Sequence, residues 1–169
     1  MQLHTERLLL RRPQIDDLEA FFEIMSDPSA MRYWSTLPHA DIGKTRNWLN
    51  QMIAREQTSG QHFVIERDGR LIGEVGAGRL PDFGFIIHPG HWGRGYATEA
   101  ARAAIDHIFA ETAATELKAD VDPRNAASLS VLSRLGFRET GRAKNTFLLG
   151  DEWCDSIYLT LPRPDAAIG

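Results

Sequence analysis

Cysteine is almost absent from this sequence, since Cys154 is the single example among 169 residues. One thiol cannot form an internal disulfide, and it cannot supply a cysteine-rich metal centre. We therefore expect a reduced, cytoplasmic protein that uses no metal.

Long apolar runs and a surplus of positive charge are also missing. No stretch approaches the length of a membrane span, and the opening MQLHTERLLLRRP lacks the apolar region and cleavage site of a signal peptide. The net charge is −4, so there is no basic surplus to neutralise phosphates along a nucleic-acid footprint. We expect neither a membrane nor a nucleic acid as the main partner, whereas a basic peptide or an amine substrate stays open.

The pattern of the remaining sequence predicts one α/β domain. A chain with 43% hydrophobic and 25% charged residues is ordinary for a globular protein. Strand-like and helix-like segments follow the order β-α-α-β-β-β-α-β-α-β-β, so helices are expected to cover a central sheet. The first strand is expected at Arg7–Arg11, and Asp68-Gly69 predicts a hairpin. We expect the domain to span residues 1–162 and a short flexible tail to span 163–169.

A glycine-rich turn carries most of the functional information. The apolar strand Phe85–Ile87 runs into Pro89, three glycines follow, and helix-forming residues begin at Tyr96. The glycines are Gly90, Gly93 and Gly95. Free backbone N–H groups and the helix dipole at such a turn favour a phosphate. The glycine spacing matches neither a Walker A loop nor a dinucleotide fingerprint, so the residues alone predict an anion site of unspecified kind.

The sequence HPGHWGRGYATEA resembles the acetyl-CoA pyrophosphate loop of the GNAT acetyltransferase superfamily, whose pattern is Gln/Arg-x-x-Gly-x-Gly/Ala. That pattern falls on Trp92–Ala97, where the initial tryptophan departs from it. W-G-(R/K)-G-Y-A-T-E-A, the opening TERLLLRR and Met31–Trp34 resemble the ribosomal-protein alanine N-acetyltransferases, the RimJ/RimL-like branch. Asn125, Ser128 and Leu135–Phe137 resemble the second cofactor motif of that branch.

This resemblance implies the GNAT fold, with a mixed, mostly antiparallel sheet flanked by helices, and acetyl-CoA as the acetyl donor. The turn would hold the pyrophosphate, and the strand that ends at Ile87 would pair with the peptide-like pantetheine arm. Asn125 would bind the same arm, although a plain helix N-cap explains it equally well. Arg94 would add charge, or it is a solvated surface arginine. The implied cofactor-binding residues are Ile87, His88, Gly93, Arg94, Gly95, Tyr96, Ala97, Thr98, Asn125 and Ser128.

Acetyl transfer requires a base for the amine and a partner for the departing thiolate. No Cys-His or Ser-His-Asp arrangement is evident, which favours direct transfer. Glu74 is the predicted base if it is desolvated among its apolar neighbours, and a water relay or a solvent-facing Glu74 are the alternatives. Ser128 matches the serine of the branch and is the predicted thiolate partner, while the family's tyrosine position holds Leu132. The alternative for Ser128 is a hydroxyl bonded to its own helix. Weaker catalytic candidates are His88, Asp155 and Tyr158.

The acceptor site is predicted in an aromatic-rich segment between two helices. Tyr33, Trp34 and Ser35 are the expected substrate-binding residues, or else their aromatic rings fill the core. The sequence predicts an N-acetyltransferase that acts on a primary amine, either a protein N-terminus or a small amine, and it leaves the oligomeric state open. The alternatives are a non-catalytic CoA-binding or regulatory module on the same fold and an unrelated nucleotide-phosphate binder.

Overall fold

The computed structural model describes residues 1–165 and leaves 166–169 undescribed. The strands are β1 (Gln2–His4), β2 (Leu9–Arg11), β3 (Gln61–Arg67), β4 (Arg70–Arg79), β5 (Asp82–Ile87), β6 (Glu116–Val121), β7 (Arg138–Leu149) and β8 (Glu152–Pro162). The helices are α1 (Leu18–Met25), α2 (Ile42–Glu56), α3 (Tyr96–Glu111) and α4 (Ala126–Arg134). None of the helices within residues 1–165 combines the length and the apolarity needed to cross a bilayer.

The strands form one mixed sheet in the order β1-β2-β3-β4-β5-β6-β8-β7. Strands β5 and β6 are parallel, and the other neighbours are antiparallel. The register of β5 and β6 contains one residue pair, Asp82 opposite Lys118. Beyond that pair the two strands separate, and we call the opening between them the β5–β6 gap. This mostly antiparallel α/β architecture confirms the predicted fold.

Helices cover both faces of the sheet. The buried contact residues of α3 include Ala100, Ala101, Ala104, Ile105 and Ile108, and the small alanines let this helix lie close to the strands. On the opposite face, α1 and α2 contribute Phe21, Leu49 and Met52, which pack against Val64 of β3. Phe63 and Ile65, on either side of Val64, belong to the α3 cluster, as the alternation of a strand requires.

A β-bulge in β4 decides which face its residues occupy. The register between β3 and β4 changes between Ile65 and Glu66, which leaves Ile72 as an extra residue without a partner. A shift of one residue moves the following side chains to the other face of the sheet. Glu74 therefore lies opposite Val64 and shares the face that α1 and α2 cover.

The predicted first strand at Arg7–Arg11 was wrong in its bounds, and β1 was missed. A turn closed by the Thr5 N–H and the Leu8 carbonyl oxygen, 3.0 Å apart, separates β1 from β2. Arg7 lies outside the strand because its backbone N–H and its Nε both donate to Glu99 of α3, at 2.8 and 2.7 Å. The remaining elements follow the predicted order.

The start of the predicted flexible tail, 163–169, is attached to α3. Arg163 donates its backbone N–H to the Thr115 carbonyl oxygen at 2.8 Å. Its guanidinium donates to the carbonyl oxygens of Phe109, Thr112 and Ala114, at 2.6, 2.5 and 2.8 Å. The last carbonyls of a helix lack intrahelical partners, so the arginine satisfies groups that would otherwise need water. The rest of the prediction, at 166–169, lies outside the described residues.

Replacing Arg163 with alanine is expected to lower the free energy of unfolding by about 2 kcal/mol, because the carbonyls at the end of α3 lose a charged donor. Urea unfolding followed by circular dichroism measures this change. Arg102→Ala removes an exposed arginine from the same helix and should change the free energy by less than about 0.5 kcal/mol. Equal unfolding midpoints for the two variants would show that the Arg163 contacts add no stability.

Candidate functional site

The β5–β6 gap exposes backbone hydrogen-bonding groups of β5. The His88 N–H donates to the Ile72 carbonyl oxygen at 2.7 Å, so the main chain of His88 faces β4. The N–H and C=O groups of successive residues alternate in direction along an antiparallel strand. The N–H and C=O groups of Ile87, opposite Gly73, consequently point away from β4 and face the gap. The Ile87 carbonyl oxygen accepts a hydrogen bond from the Trp92 indole Nε1 at 2.8 Å, which gives the unusual tryptophan a role in holding the turn.

The glycine turn presents unpaired N–H groups at the start of α3. Gly93 and Gly95 have φ values of 72° and 80°, a left-handed backbone that glycine adopts without strain. The first intrahelical bond runs from the Glu99 N–H to the Gly95 carbonyl oxygen at 3.1 Å. Within residues 1–165, no backbone N–H from Gly93 to Thr98 has a hydrogen-bond partner. These converging donors, with the positive end of the helix dipole, form an anion site.

The side chains around the turn hold it in place. Glu99 accepts from Thr5 Oγ1 at 2.7 Å and from Arg7, whose Nη1 also donates to the Arg94 carbonyl oxygen at 2.9 Å. The Tyr96 ring is buried between the guanidinium groups of Arg7 and Arg67, at 4.7 and 5.1 Å from the ring centroid. Tyr96 can thus contribute only its N–H to a ligand. The Arg94 side chain is exposed and has no hydrogen bond to any described residue. This position is consistent both with a solvated surface arginine and with one that adds charge near a phosphate.

Asn125 and Ser128 form a closed pair at the start of α4. Asn125 Oδ1 accepts from the Ser128 N–H at 3.2 Å, so the plain N-cap interpretation of Asn125 is present. Asn125 Nδ2 donates to Ser128 Oγ at 3.0 Å. The Ser128 hydroxyl makes no bond to a carbonyl of its own helix within residues 1–165, so its proton is available to another acceptor.

Glu74 is the buried carboxylate of the α1–α2 face. Its residue exposure is 3%, which excludes the solvent-facing alternative. Its Oε2 has no hydrogen-bond partner among the described residues. Burial and, secondarily, the nearby Glu56 carboxylate raise the pKa of Glu74 from 4.5 to about 8. A carboxyl group with such a pKa exchanges protons near neutral pH, as a general base must.

A cavity of about 280 Å³ adjoins Glu74 on this face. Its other lining residues include Trp34, Ser35, Trp48, Met52 and Arg55. Trp34 and Ser35, two of the predicted substrate-binding residues, thus line the cavity beside Glu74. Tyr33 lies apart from the cavity lining, with the guanidinium groups of Arg32 and Arg124 at 5.0 and 5.7 Å from its ring.

An ion-pair network connects this acceptor loop to the start of α4. Arg124 Nη2 lies 2.7 Å from Asp122 Oδ2 and 3.0 Å from Glu152 Oε1. Arg32, beside Tyr33, reaches the same Glu152 oxygen at 3.3 Å. Glu152 thus links the segment that contains Tyr33 to the residues just before α4 through ion pairs.

The other predicted site residues have different surroundings. Both ring nitrogens of His88 are engaged: Nε2 lies 2.9 Å from Glu23 Oε1, and Nδ1 accepts from the Gly90 N–H at 3.0 Å. His88 thus shapes the turn through its ring instead of offering it to a ligand. Asp155 accepts from the Asn145 N–H at 2.9 Å, and Tyr158 is 38% exposed. Neither borders the cavity of Glu74.

Several cavity residues were missed in the sequence, namely Trp48, Met52, Arg55, His62 and Asp82. The α2 residues have a helical spacing that is also typical of core packing, so the pattern carried no signal for a ligand site. The position of His62 depends on the hairpin register and on the bulge, which the sequence does not reveal.

The two ends of the site fit acetyl-CoA. The unpaired N–H groups of the glycine turn suit a pyrophosphate, and the β5–β6 gap offers Ile87 to a peptide-like arm. Gly73, opposite Ile87, is also required as glycine, since a Cβ there would lie 2.2 Å from the Ile86 carbonyl oxygen. Residues 1–165 contain no group of His, Cys, Asp and Glu side chains that could hold a metal ion.

The chain is similar to acetyltransferases in sequence and in fold. The family model described as acetyltransferase (GNAT) domain matches residues 7–138. The probable N-acetyltransferase YjcK of Bacillus subtilis (strain 168) is 34% identical over 154 residues, 86% of this chain and 82% of that protein. The spermidine N(1)-acetyltransferase of Escherichia coli (strain K12) is 27% identical over 158 residues, 90% and 84% of the two chains.

A solved structure of RimL, a ribosomal L7/L12 alpha-N-protein acetyltransferase in complex with coenzyme A, shares the fold, with a TM-score of 0.85 at 17% identity over 96% of this chain and 98% of that one. The match of the family model over most of the described domain agrees with the glycine turn, the β5–β6 gap and the buried carboxylate. The chain therefore belongs to the GNAT acetyltransferase family, and it transfers an acetyl group from acetyl-CoA to an amine.

Proposed function

We propose that the protein acetylates a primary amine directly, with Glu74 as the general base, in the cavity lined by Trp34, Ser35 and Trp48. The observation that carries this proposal is the buried, unpartnered Glu74 carboxylate at the wall of a cavity. Glu74 lies opposite Ile86 of β5, and the far edge of β5 faces the gap. The base thus lies one strand away from the opening between the two halves of the sheet.

The chain holds its donor through backbone groups on the α3 side of the sheet. Acetyl-CoA supplies an acetyl group activated as a thioester. The N–H groups of Gly93–Thr98 bind the pyrophosphate, and Ile87 and Asn125 bind the arm. Arg94 is exposed beside the turn and adds positive charge without a fixed contact.

Two side chains are assigned to the reacting groups. Glu74 accepts one proton from the acceptor ammonium group, which makes the nitrogen lone pair available for attack. Ser128 donates a hydrogen bond to the departing thiolate, because Asn125 Nδ2 already occupies one lone pair of its oxygen, and the thiolate takes the second proton that the nitrogen loses as the amide forms. Leu132, at the position of the family's tyrosine, is buried in the core with 2% exposure and takes no part.

The acceptor is a primary amine on a narrow chain, either a small molecule or the first residue of a polypeptide. A cavity of about 280 Å³ holds a group of this size and excludes a folded protein surface. Trp34, Trp48 and Met52 supply apolar walls, and Arg55 and Asp82 provide charges of both signs. The related enzymes named above act on spermidine or on a protein N-terminus, and both acceptors satisfy this description. The proposal includes a cytoplasmic location, where the free thiol of Cys154 stays reduced.

The proposal is tested with a panel of amines and of peptides with different N-terminal residues, with release of free CoA thiol as the readout. We expect thiol release that depends on the acceptor and an acetylated product detectable by mass spectrometry. Acetyl-CoA binding with no transfer to any amine would favour the non-catalytic CoA-binding module. Preferential binding of ATP would favour a nucleotide-phosphate binder.

Gly95→Asp is expected to weaken acetyl-CoA binding at least tenfold, about 1.4 kcal/mol, because it adds a side chain and a negative charge beside the pyrophosphate donors. Isothermal titration calorimetry measures the affinity. Gly69→Asp is the matched control, since Gly69 has a similar φ of 74° and no neighbouring atom within 4 Å of its Cβ direction. Unchanged affinity in Gly95→Asp, with the fold intact, would remove the glycine turn from the cofactor site.

Glu74→Gln is expected to lower kcat/KM by roughly 100- to 10,000-fold, the usual contribution of an acid–base group. The wild-type rate should rise with pH up to about 8, where the carboxyl group ionises, and the variant should lose this rise. Glu111→Gln, at an exposed position on α3, is the control and should keep the wild-type profile. A Glu74→Gln profile identical to that of the wild type would eliminate Glu74 as the base.

The same substitution has a second consequence, for stability. The pKa of Glu74 is raised from 4.5 to about 8 in the folded state, so the native protein holds a proton that the unfolded chain loses in this pH window. The stability of the wild type should fall as the pH rises from 4.5 to 8, whereas Glu74→Gln should show a smaller fall. Thermal unfolding across this range measures the difference.

A further inference from the structure

Three side chains from different elements form a buried row that ends at Glu74. His62 Nε2 lies 3.9 Å from Glu74 Oε2, and His62 Nδ1 lies 3.7 Å from Glu56 Oε1. The side chains of His62, Glu74 and Glu56 are 14%, 4% and 8% exposed. The imidazole of β3 therefore lies between a carboxyl group of β4 and a carboxylate of α2.

Two polar atoms in this row are unpartnered, one on Glu74 and one on His62. Glu74 Oε2 and His62 Nδ1 are buried without a hydrogen-bond partner among the described residues. Glu74 Oε2 and His62 Nε2 are 3.9 Å apart, about 1 Å farther than in an ordinary hydrogen bond, so a bond between them requires the two side chains to move closer. Buried polar atoms that lack partners are costly, which indicates that the row is kept for a purpose other than stability.

The rest of the row is firmly held. Glu56 Oε1 accepts the His62 backbone N–H at 2.7 Å, and its Oε2 pairs with Arg12. Arg12 Nη1 also donates to the His62 carbonyl oxygen at 3.2 Å. The imidazole lies against Gly78, where a Cβ would be 2.3 Å from His62 Cε1. The absence of a side chain at Gly78 thus makes room for the ring.

We propose that His62 is the proton relay of Glu74, a positioning residue that accepts the proton which Glu74 removes from the acceptor amine and passes it to solvent. This inference rests on the proposed role of Glu74 as the base. It answers a need of that role, because a carboxyl group closed off by a bound acceptor has no direct contact with water.

Each step of the relay moves one proton. An N–H bond of the acceptor ammonium group breaks, and its proton joins the Glu74 carboxylate. The O–H bond of Glu74 then breaks, and the proton forms an N–H bond at Nε2 of neutral His62. The resulting imidazolium lies beside the Glu56 carboxylate. It gives the proton to water at its own edge, since the side chain of His62 is 14% exposed and that of Glu74 only 4%, and both groups return to their starting forms.

The charges around His62 make its imidazolium short-lived. Burial, with Arg55 and Arg12, lowers the pKa of His62 to about 4, whereas the pKa of Glu74 is about 8. The ring is therefore neutral at pH 7, and a proton that reaches it from Glu74 against this pKa difference is released at once. The other charged groups around His62 come from four elements. Arg12 follows β2, Arg55 and Glu56 lie on α2, and Glu74 lies on β4. Asp82 of β5 lines the same cavity. Burial raises the pKa of Glu56, which is only partly offset by the His62 N–H and by Arg12.

The test compares pH–rate profiles of the full chain and three variants. For His62→Gln, we expect kcat at pH 7 to fall roughly tenfold, less than for loss of a direct acid–base group, with the KM for acetyl-CoA unchanged. The deficit should shrink above pH 8, the pKa of Glu74, because the carboxyl group is then ionised at equilibrium. Gly78→Ala should show the same pH-dependent deficit, because the added methyl group displaces the imidazole ring although the sequence still has histidine at position 62.

His107→Gln is the control for removal of a partly buried histidine. Its Nε2 is also unpartnered, and its ring packs on Phe63 on the α3 side of the sheet, away from the cavity. Its profile should match that of the wild type. In His62→Ala, added imidazole should restore turnover, a response that a purely structural defect does not give.

The possible outcomes separate the two proposals. Absence of transfer by the wild type would reject the proposed function itself. An active wild type with an unchanged His62→Gln profile would overturn the relay alone. A deficit of equal size at every pH, with no response of His62→Ala to imidazole, would also overturn it. If the His62 variants fail to fold, as judged by circular dichroism, the Gly78→Ala profile decides.

Discussion

The structure depends on an incomplete pairing in its sheet. Strands β5 and β6 share a single residue pair, Asp82 and Lys118, and then separate. Buried backbone groups need hydrogen-bond partners, so strands that part inside a folded domain leave a demand that a peptide-like molecule satisfies. Helices α3 and α4 begin close to the strand ends on either side of this opening, so their N-terminal donors border the same space. The proposed donor site thus combines the pairing defect, the glycine turn and the Asn125–Ser128 pair.

The proposed donor and acceptor sites lie on opposite faces of the sheet and meet at the β5–β6 gap. In the proposed function, the donor is bound on the side of α3 and α4, and the acceptor enters the cavity on the side of α1 and α2. Glu74 belongs to the second side but to a strand adjacent to β5, so the proposed base is close to the opening although it is buried.

Local patterns in the sequence revealed the elements that local physics determines. The apolar spacing of α1, α2 and α3, the Asp68-Gly69 hairpin and the glycine turn were predicted, because each depends on neighbouring residues. The short β1 was missed because three residues carry no periodicity. Trp48, His62 and Asp82 come from different elements, and tertiary packing alone brings them to one cavity. Glu74 was found by its apolar surroundings, but its face of the sheet was not predictable, since it depends on the extra residue in β4.

That extra residue has a consequence for how roles are transferred between related enzymes. If the same residues of β3 and β4 paired without the bulge, Glu74 would lie opposite Phe63 and point toward α3, although no side chain had changed. The identity of a glutamate at an aligned position is therefore insufficient evidence of a shared base. A relative of equal hairpin length that pairs these strands without the bulge would have this carboxylate on the α3 side. The pairing register of the β3–β4 hairpin is for this reason as informative about mechanism as the residues within it.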